Sequence, residues 1–145
     1  MNASNQYCTF FVDGLFFGVE VQKVQEVIRY QELTRVPLAS RVISGLINLR
    51  GQIVTAIDLR QRLGLPARSS DKLPTNVVVR TDDGAVSLLV DEIGDVQEVD
   101  DGVFEPVPHT LCGEVRTLIR GAYKLPDRLL LTLDTGKAVM MGTEN

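Results

Sequence analysis

One block of this chain occurs twice. Residues Ile43 to Asp58 read Ile-Ser-Gly-Leu-Ile-Asn-Leu-Arg-Gly-Gln-Ile-Val-Thr-Ala-Ile-Asp, and adding 76 to each number gives a gapless second copy from Ile119 to Asp134. Ile43 maps to Ile119, Gly45 to Gly121, Leu49 to Leu125, Ile53 to Leu129, Val54 to Leu130, Ile57 to Leu133 and Asp58 to Asp134. The turn between the two apolar runs is not repeated, because Arg50 maps to Pro126 and Gly51 to Asp127. A scaffold used twice confines the chain to folds with two similar halves. A charged turn used once points to a role in function rather than in folding.

The rest of the chain repeats less cleanly. Val21 to Val27 aligns with Ile93 to Val99 at an offset of 72, pairing Val24 with Val96 and Glu26 with Glu98. Two Asp-Gly pairs, Asp13-Gly14 and Asp83-Gly84, lie 70 apart. Each unit is about 70 residues, too long for a solenoid repeat and suited to a small β-barrel.

Local signals favour strands. Tyr7–Val12 and Phe16–Val21 flank Asp13-Gly14, a strong hairpin signature, and Asn76–Arg80 and Ala85–Val90 flank Asp83-Gly84 likewise. The i, i+3 spacing of Val21 and Val24 predicts a single helical turn before another strand. Gly45–Leu49 and Gln52–Ile57 form the next hairpin around Arg50-Gly51. Asp58 should cap a short helix whose face carries Leu59 and Leu63 and which ends at Gly64, and Asp134 should cap its counterpart despite Gly136. Pro66, Ser69, Ser70, Asp71 and Pro74 mark a linker, and Asp100–Gly113 reads as a second irregular stretch. The expected architecture is all-β with short helices. It has two hairpin-rich, five-stranded barrel lobes, the first over about 7–65 and the second over about 76–141, joined by a linker over about 66–75.

At 145 residues the chain can bury a real core, and 44% hydrophobic with 23% charged residues is ordinary for a globular protein. A net charge of -4 opposes nucleic-acid binding. No apolar run approaches the roughly 20 residues that span a bilayer, and the N-terminus lacks a basic region followed by an apolar stretch. Cys8 and Cys112 have no metal-ligand spacing and are expected to be buried, reduced thiols of a cytoplasmic protein.

Catalysis has little to stand on. The single histidine, His109, sits between Pro108 and Thr110 in an expected surface loop, without a second imidazole or a nucleophile to serve. Asp82-Asp83 and Asp100-Asp101 do not continue into a calcium loop and read as turns. No glycine loop suits a phosphate, and no cofactor is implied.

Binding has more. Arg50 lies in a tight turn where its guanidinium can either fold back onto Glu26 as a structural pair or reach outward as an interface hot spot. Val24 and Val96 are core positions by default, or the walls of an apolar groove if the lobes face one another. Exposed barrel edges invite contact with another copy of the fold.

The motifs Val24-Gln25-Glu26-Val27, Arg35-Val36-Pro37, Ile43-Ser44-Gly45, Asn48-Leu49-Arg50-Gly51, Ile57-Asp58-Leu59-Arg60 and Leu89-Val90-Asp91-Glu92 occur in this order and spacing. With them the chain resembles the CheW family of cytoplasmic chemosensory coupling proteins, from about Tyr7 to Val139. The resemblance implies two SH3-like five-stranded barrels packed through a shared apolar seam. It implies a non-enzymatic adaptor that couples chemoreceptor cytoplasmic hairpin tips to the regulatory domain of a CheA-type histidine kinase, with other CheW-like proteins as further partners. It assigns receptor binding to Glu26, Asn48, Arg50, Gly51 and Val96, and kinase binding to Val24, Gly45 and Leu46. A related module serving pili, biofilm or development, or regulating another kinase, fits the same residues. Few residues follow Val139, so the family's longer C-terminal helix is expected to be truncated or absent, and Leu111–Arg120 carries no family signature.

Overall fold

The computed structural model describes residues 5–37, 41–69, 71–82, 84–100, 104–107, 111 and 113–140. Strands β1 (Asn5–Val12) and β2 (Leu15–Glu20) form a hairpin, and a 3-10 turn (Val21–Lys23) leads into β3 (Val24–Ile28). The duplicated block follows as β4 (Ile43–Leu49), β5 (Gln52–Asp58) and helix α1 (Leu59–Arg62). A second hairpin, β6 (Thr75–Thr81) and β7 (Gly84–Val90), is followed by the short strands β8 (Glu92–Ile93), β9 (Gln97–Val99) and β10 (Phe104–Glu105). Helix α2 (Gly113–Leu118), β11 (Ile119–Lys124), β12 (Leu129–Leu133) and helix α3 (Thr135–Ala138) complete the chain.

The local chemistry explains these limits. Asp13 and Gly14 both take positive φ, 52° and 79°, the turn whose twist matches a two-residue hairpin. Asp58 caps α1 by accepting from the Arg60 amide at 3.0 Å. Gly64, at φ 71°, ends the helix: its amide donates to the Gln61 carbonyl at 3.1 Å and the Leu65 amide to the Arg60 carbonyl at 2.8 Å. Asp134 caps α3 in the same way, accepting from the Lys137 amide at 3.1 Å.

The two copies of the block have the same register. Ile43 faces Ile57, Gly45 faces Ala56 and Asn48 faces Ile53; 76 residues later Ile119 faces Leu133, Gly121 faces Thr132 and Lys124 faces Leu129. Each hairpin has one bulge at the same place, between Ile43 and Gly45 and between Ile119 and Gly121. The turn does differ: Arg50 and Gly51 have φ of 54° and 86°, while Pro126 and Asp127 stay at negative φ.

The sheets are not sequence-consecutive lobes. One has the order β3-β6-β7-β5-β4, and the other runs β10-β11-β12-β2-β1 with β8 and β9 on the free edge of β1. Each thus takes a first hairpin from one repeat and the remaining strands from the other, joined through the parallel pairs β5 with β7 and β12 with β2. The division at about 7–65 and 76–141 therefore cuts across both sheets. Its cause is the short 3-10 turn after β2, which carries the chain into the opposite sheet before a lobe can close.

Pairing also corrects the offset of the weaker repeat. Val79 faces Val86 and Val24 in one sheet as Phe10 faces Phe17 and Ile93 in the other, and Ile28 faces Asn76 as Gln97 faces Tyr7. The equivalence is 69 throughout, so the counterpart of Val24 is Ile93 and that of Glu26 is Asp95, not Val96 and Glu98. The apparent match at 72 is three residues out, and an odd slip turns each side chain to the other face of a strand. Likewise Gly84 lies within β7 facing Thr81, as Leu15 faces Val12, so Gly84 is a strand residue rather than the counterpart of Gly14.

A shared apolar core joins the sheets, with Phe10, Phe17 and Leu131 from one, Ile57, Val79 and Leu88 from the other, Leu59 and Leu118 from the helices, and Leu63 at the end of α1. Each sheet also has its own smaller core, around Ile47, Val54 and Val78 in one and around Tyr7, Tyr123 and Leu130 in the other. The all-β class and the apolar seam hold, but the five strand positions do not close into hydrogen-bonded barrels, because no ladder joins β3 to β4. Instead the chain after β3 returns along the outer edge of β4, where Thr34 and Leu46 exchange backbone bonds of 2.9 and 2.8 Å. Buried Asn76 anchors that return by donating to the Arg29 carbonyl at 3.2 Å. Arg62 ties the helices together, donating to the Ala138 and Lys137 carbonyls at 3.0 and 2.9 Å.

Helix α2 falls where sequence gave no signal, although its buried Val115 and Leu118 have helical spacing. Cys8 is half-buried rather than buried. His109, Cys112, Asp83 and Asp101 lie outside the described residues.

Candidate functional site

The Arg50-Gly51 turn is held by Asn48, whose Oδ1 accepts from the Gly51 amide at 2.9 Å. From this turn the Arg50 guanidinium reaches Glu26 on β3 and donates through Nη1 and Nη2 at 2.6 and 2.7 Å. Because β3 and β4 are opposite edges of one sheet, this bidentate pair draws together edges that backbone pairing leaves open. The arginine side chain is 72% exposed and the glutamate 18%. The hydrogen bond from Arg50 holds the Glu26 carboxyl below its usual range and raises the guanidinium in turn. Of the two alternatives left by the sequence, the structure has the folded-back pair, and the arginine still shows most of its surface.

Arg50 occupies a backbone position that favours Asn or Gly. A strained residue kept at an exposed turn is a mark of function when nothing local requires it. The other hairpin turns with Pro126 and Asp127, both at negative φ, in place of Arg50 and Gly51.

The remaining candidates divide. Glu26, Asn48, Arg50 and Gly51 are brought together by these hydrogen bonds; Val27, next to Glu26 on β3, and Ile53, paired with Asn48, are exposed. Val24 is half-buried against the shared core, and Leu46 is half-buried on the edge bridged by Thr34. Gly45 is buried, and a Cβ there would stand 2.6 Å from the Thr34 carbonyl oxygen. A substitution at Gly45 must therefore break the Thr34–Leu46 bridge before it meets any partner. Val96 is 57% exposed and lies on the other sheet's side, between β8 and β9.

Sequence reading missed one cluster although it noted the motifs that hold it. Asp91, just after β7, accepts from Arg60 Nε and Nη2 at 3.0 and 2.7 Å, from Arg68 Nε at 3.0 Å and from the Asp13 amide at 2.7 Å. Burial alone would push the Asp91 carboxyl up, but the Arg60 hydrogen bond, the Asp13 amide and the two guanidinium charges bring it below its usual range. Arg60 also donates to the Pro66 carbonyl at 2.8 Å, so the segment expected as a loose linker is pinned to α1. The cluster lies in an open cleft of about 580 Å³ with Phe11, Lys72 and Leu73. Pairing of Arg60 with Asp91, 31 residues apart, has no short-range sequence signal.

Among the described residues no group of histidine, cysteine, aspartate or glutamate could hold a metal ion, and no helix is long and apolar enough to cross a membrane.

The geometry agrees with known proteins. The CheW-like domain family matches residues 6–140. The chemotaxis protein CheW of Bacillus subtilis is 33% identical over 125 residues, covering 86% of this chain and 80% of that protein. The chemotaxis protein CheW of Klebsiella aerogenes is 28% identical, covering 91% and 80%. The crystal structure of the scaffolding protein TtCheW from Thermoanaerobacter tengcongensis superposes with a TM-score of 0.82 at 26% identity, covering 90% of this chain and 89% of that one. With intertwined repeats, an interlocked pair of sheets and this match over nearly its whole length, the chain belongs to the CheW-like family.

Proposed function

We propose that this chain is a non-catalytic adaptor of a chemosensory array. It docks a chemoreceptor hairpin tip on the face that carries Glu26, Asn48, Arg50 and Gly51, with Val96 as a further contact. It meets the regulatory domain of a CheA-type histidine kinase through Val24 on β3 and Gly45 and Leu46 on β4. It works in the cytoplasm and reaches the membrane through its partners. The single observation that carries this reading is Arg50, 72% exposed and held at positive φ in a turn that its twin hairpin makes without it. An ion pair at an exposed surface stabilises a fold little, so it does not account for a strained residue. An exposed guanidinium fixed in place by Glu26 has the anatomy of an interface anchor.

The test is Arg50→His, assayed by pull-down with receptor cytoplasmic fragments and by thermal melting. We expect weaker capture with melting unchanged. Unchanged capture, or loss of the fold, would overturn the reading.

A further inference from the structure

The register equivalence of the repeats identifies a second site that is the twin of the first. It takes Val24–Ile28 onto Ile93–Gln97, and it takes the Leu49–Gln52 turn onto Leu125–Arg128. Residues from these two segments, with Phe11 and Phe16 of the β1–β2 hairpin, line an open cleft of about 470 Å³. In the first repeat the corresponding space is crossed by Arg50 on its way to Glu26. In the second, Pro126 stands at the place of Arg50 and Asp95 at that of Glu26. Among the described residues the Asp95 carboxylate has no cationic partner, and the cleft stays open.

Three features of the cleft suit a guanidinium from outside. Asp95, between β8 and β9, offers an exposed carboxylate at the register position equivalent to that of Glu26 on β3. Phe11 and Phe16 form an aromatic pair, with centroids 4.9 Å apart, and it already holds one guanidinium: Arg128 lies 5.5 and 4.9 Å from the two centroids. Residues 92–100, the segment that carries Asp95, hold four Asp and Glu and no Lys or Arg, a local negative charge that draws a basic partner to the cleft. Arginine fits better than lysine, because its planar fork both pairs with a carboxylate and stacks on a ring.

We propose that this cleft is a docking site for an arginine side chain of a protein partner, which gives Asp95 in trans the guanidinium that Arg50 gives Glu26 in cis. The two repeats then bind by opposite arrangements. One turns its arginine onto its carboxylate, and the other keeps Arg128 on the aromatic pair and beside Asp127, leaving Asp95 to a partner. Asp95 and Gln97 flank Val96, so the cleft adjoins the further receptor contact proposed above, while lying on the other sheet from Arg50 and Glu26.

The probe is the blocked tripeptide acetyl-Gly-Arg-Gly-amide, titrated into the isotope-labelled full chain while the backbone amides are followed by NMR. Saturable shifts are expected at Gly94, Asp95, Gln97, Leu125 and Asp127. The neutral isostere with citrulline in place of arginine should give none. Asp95→Asn, at an exposed position, should keep the fold and weaken binding about two- to five-fold, the range for one exposed ion pair. The double variant Pro126→Arg, Asp127→Gly imports the first turn into the second hairpin and should abolish the response by filling the cleft from within. The proposal is overturned if the arginine and citrulline peptides shift the same amides equally, if Asp95→Asn binds as the parent does, or if the response survives the imported turn.

Discussion

Asp91→Asn removes one charge and keeps nearly the same shape, so its cost measures what the carboxylate does. In the native protein that carboxylate accepts from Arg60 twice, from Arg68 and from the Asp13 amide. The side chains are mostly shielded, at 18% exposure for Asp91, 14% for Arg60 and 11% for Arg68. Taking one partner from a buried ion pair costs about 3–5 kcal/mol, because the other charge is left uncompensated. Residual solvent and the acceptor that asparagine retains reduce this to about 3 kcal/mol. A protein of this size loses about 2–4 °C of Tm per kcal/mol, so the variant should melt about 6–12 °C lower. The pH dependence supplies the sign. The native Asp91 carboxyl lies below its usual range, so its contribution is present above the unfolded pKa of about 3.9 and is lost as pH falls through the native value. Urea melts of both proteins at about pH 7 should therefore show the full gap, and melts at about pH 3 a smaller one. A gap below about 1 kcal/mol at neutral pH, or one of equal size in acid, would refute the reasoning.

Two further experiments probe the sheet that carries Arg50. Gly45→Ala places a Cβ 2.6 Å from the Thr34 carbonyl oxygen, and should cost about 2–4 kcal/mol in denaturant melts and deprotect the Leu46 amide to hydrogen exchange; a neutral substitution would mean that the bridge is dispensable. Glu26 and Arg50 should be coupled in receptor binding, so a double-mutant cycle on the affinity should be non-additive, and additive effects would remove the pair as a unit.

The duplicated block was the most legible part of the sequence because it is local. Ile43, Gly45, Ile57 and Asp58 recur where each hairpin needs an apolar face, a bulge and a helix cap, and those features reappear in identical register. The Arg50–Glu26 contact was legible as one of two alternatives, since the missing arginine in the second copy drew attention to it. The exchange of strands between sheets was not legible. Nothing local distinguishes a strand that pairs within its own repeat from one that crosses through a three-residue turn to the other. The same limit hid Asp95, because a four-letter match of Val-Gln-Glu-Val outweighed a pairing register that exists only between distant strands. The Asp91 cluster depends on that crossing too, joining the end of β7 to α1 and to the β1–β2 turn.

The central claim is that this chain transmits receptor state to a kinase, and reconstitution tests it most directly. Receptor cytoplasmic fragments and a CheA-type kinase are mixed with and without this protein, and kinase autophosphorylation is followed as the receptor is switched between its signalling states. Phosphorylation should respond to the receptor only when the protein is present, and the response should fall with Arg50→His. A response of equal size without the protein, or none in its presence while both partners are otherwise competent, would contradict the claim.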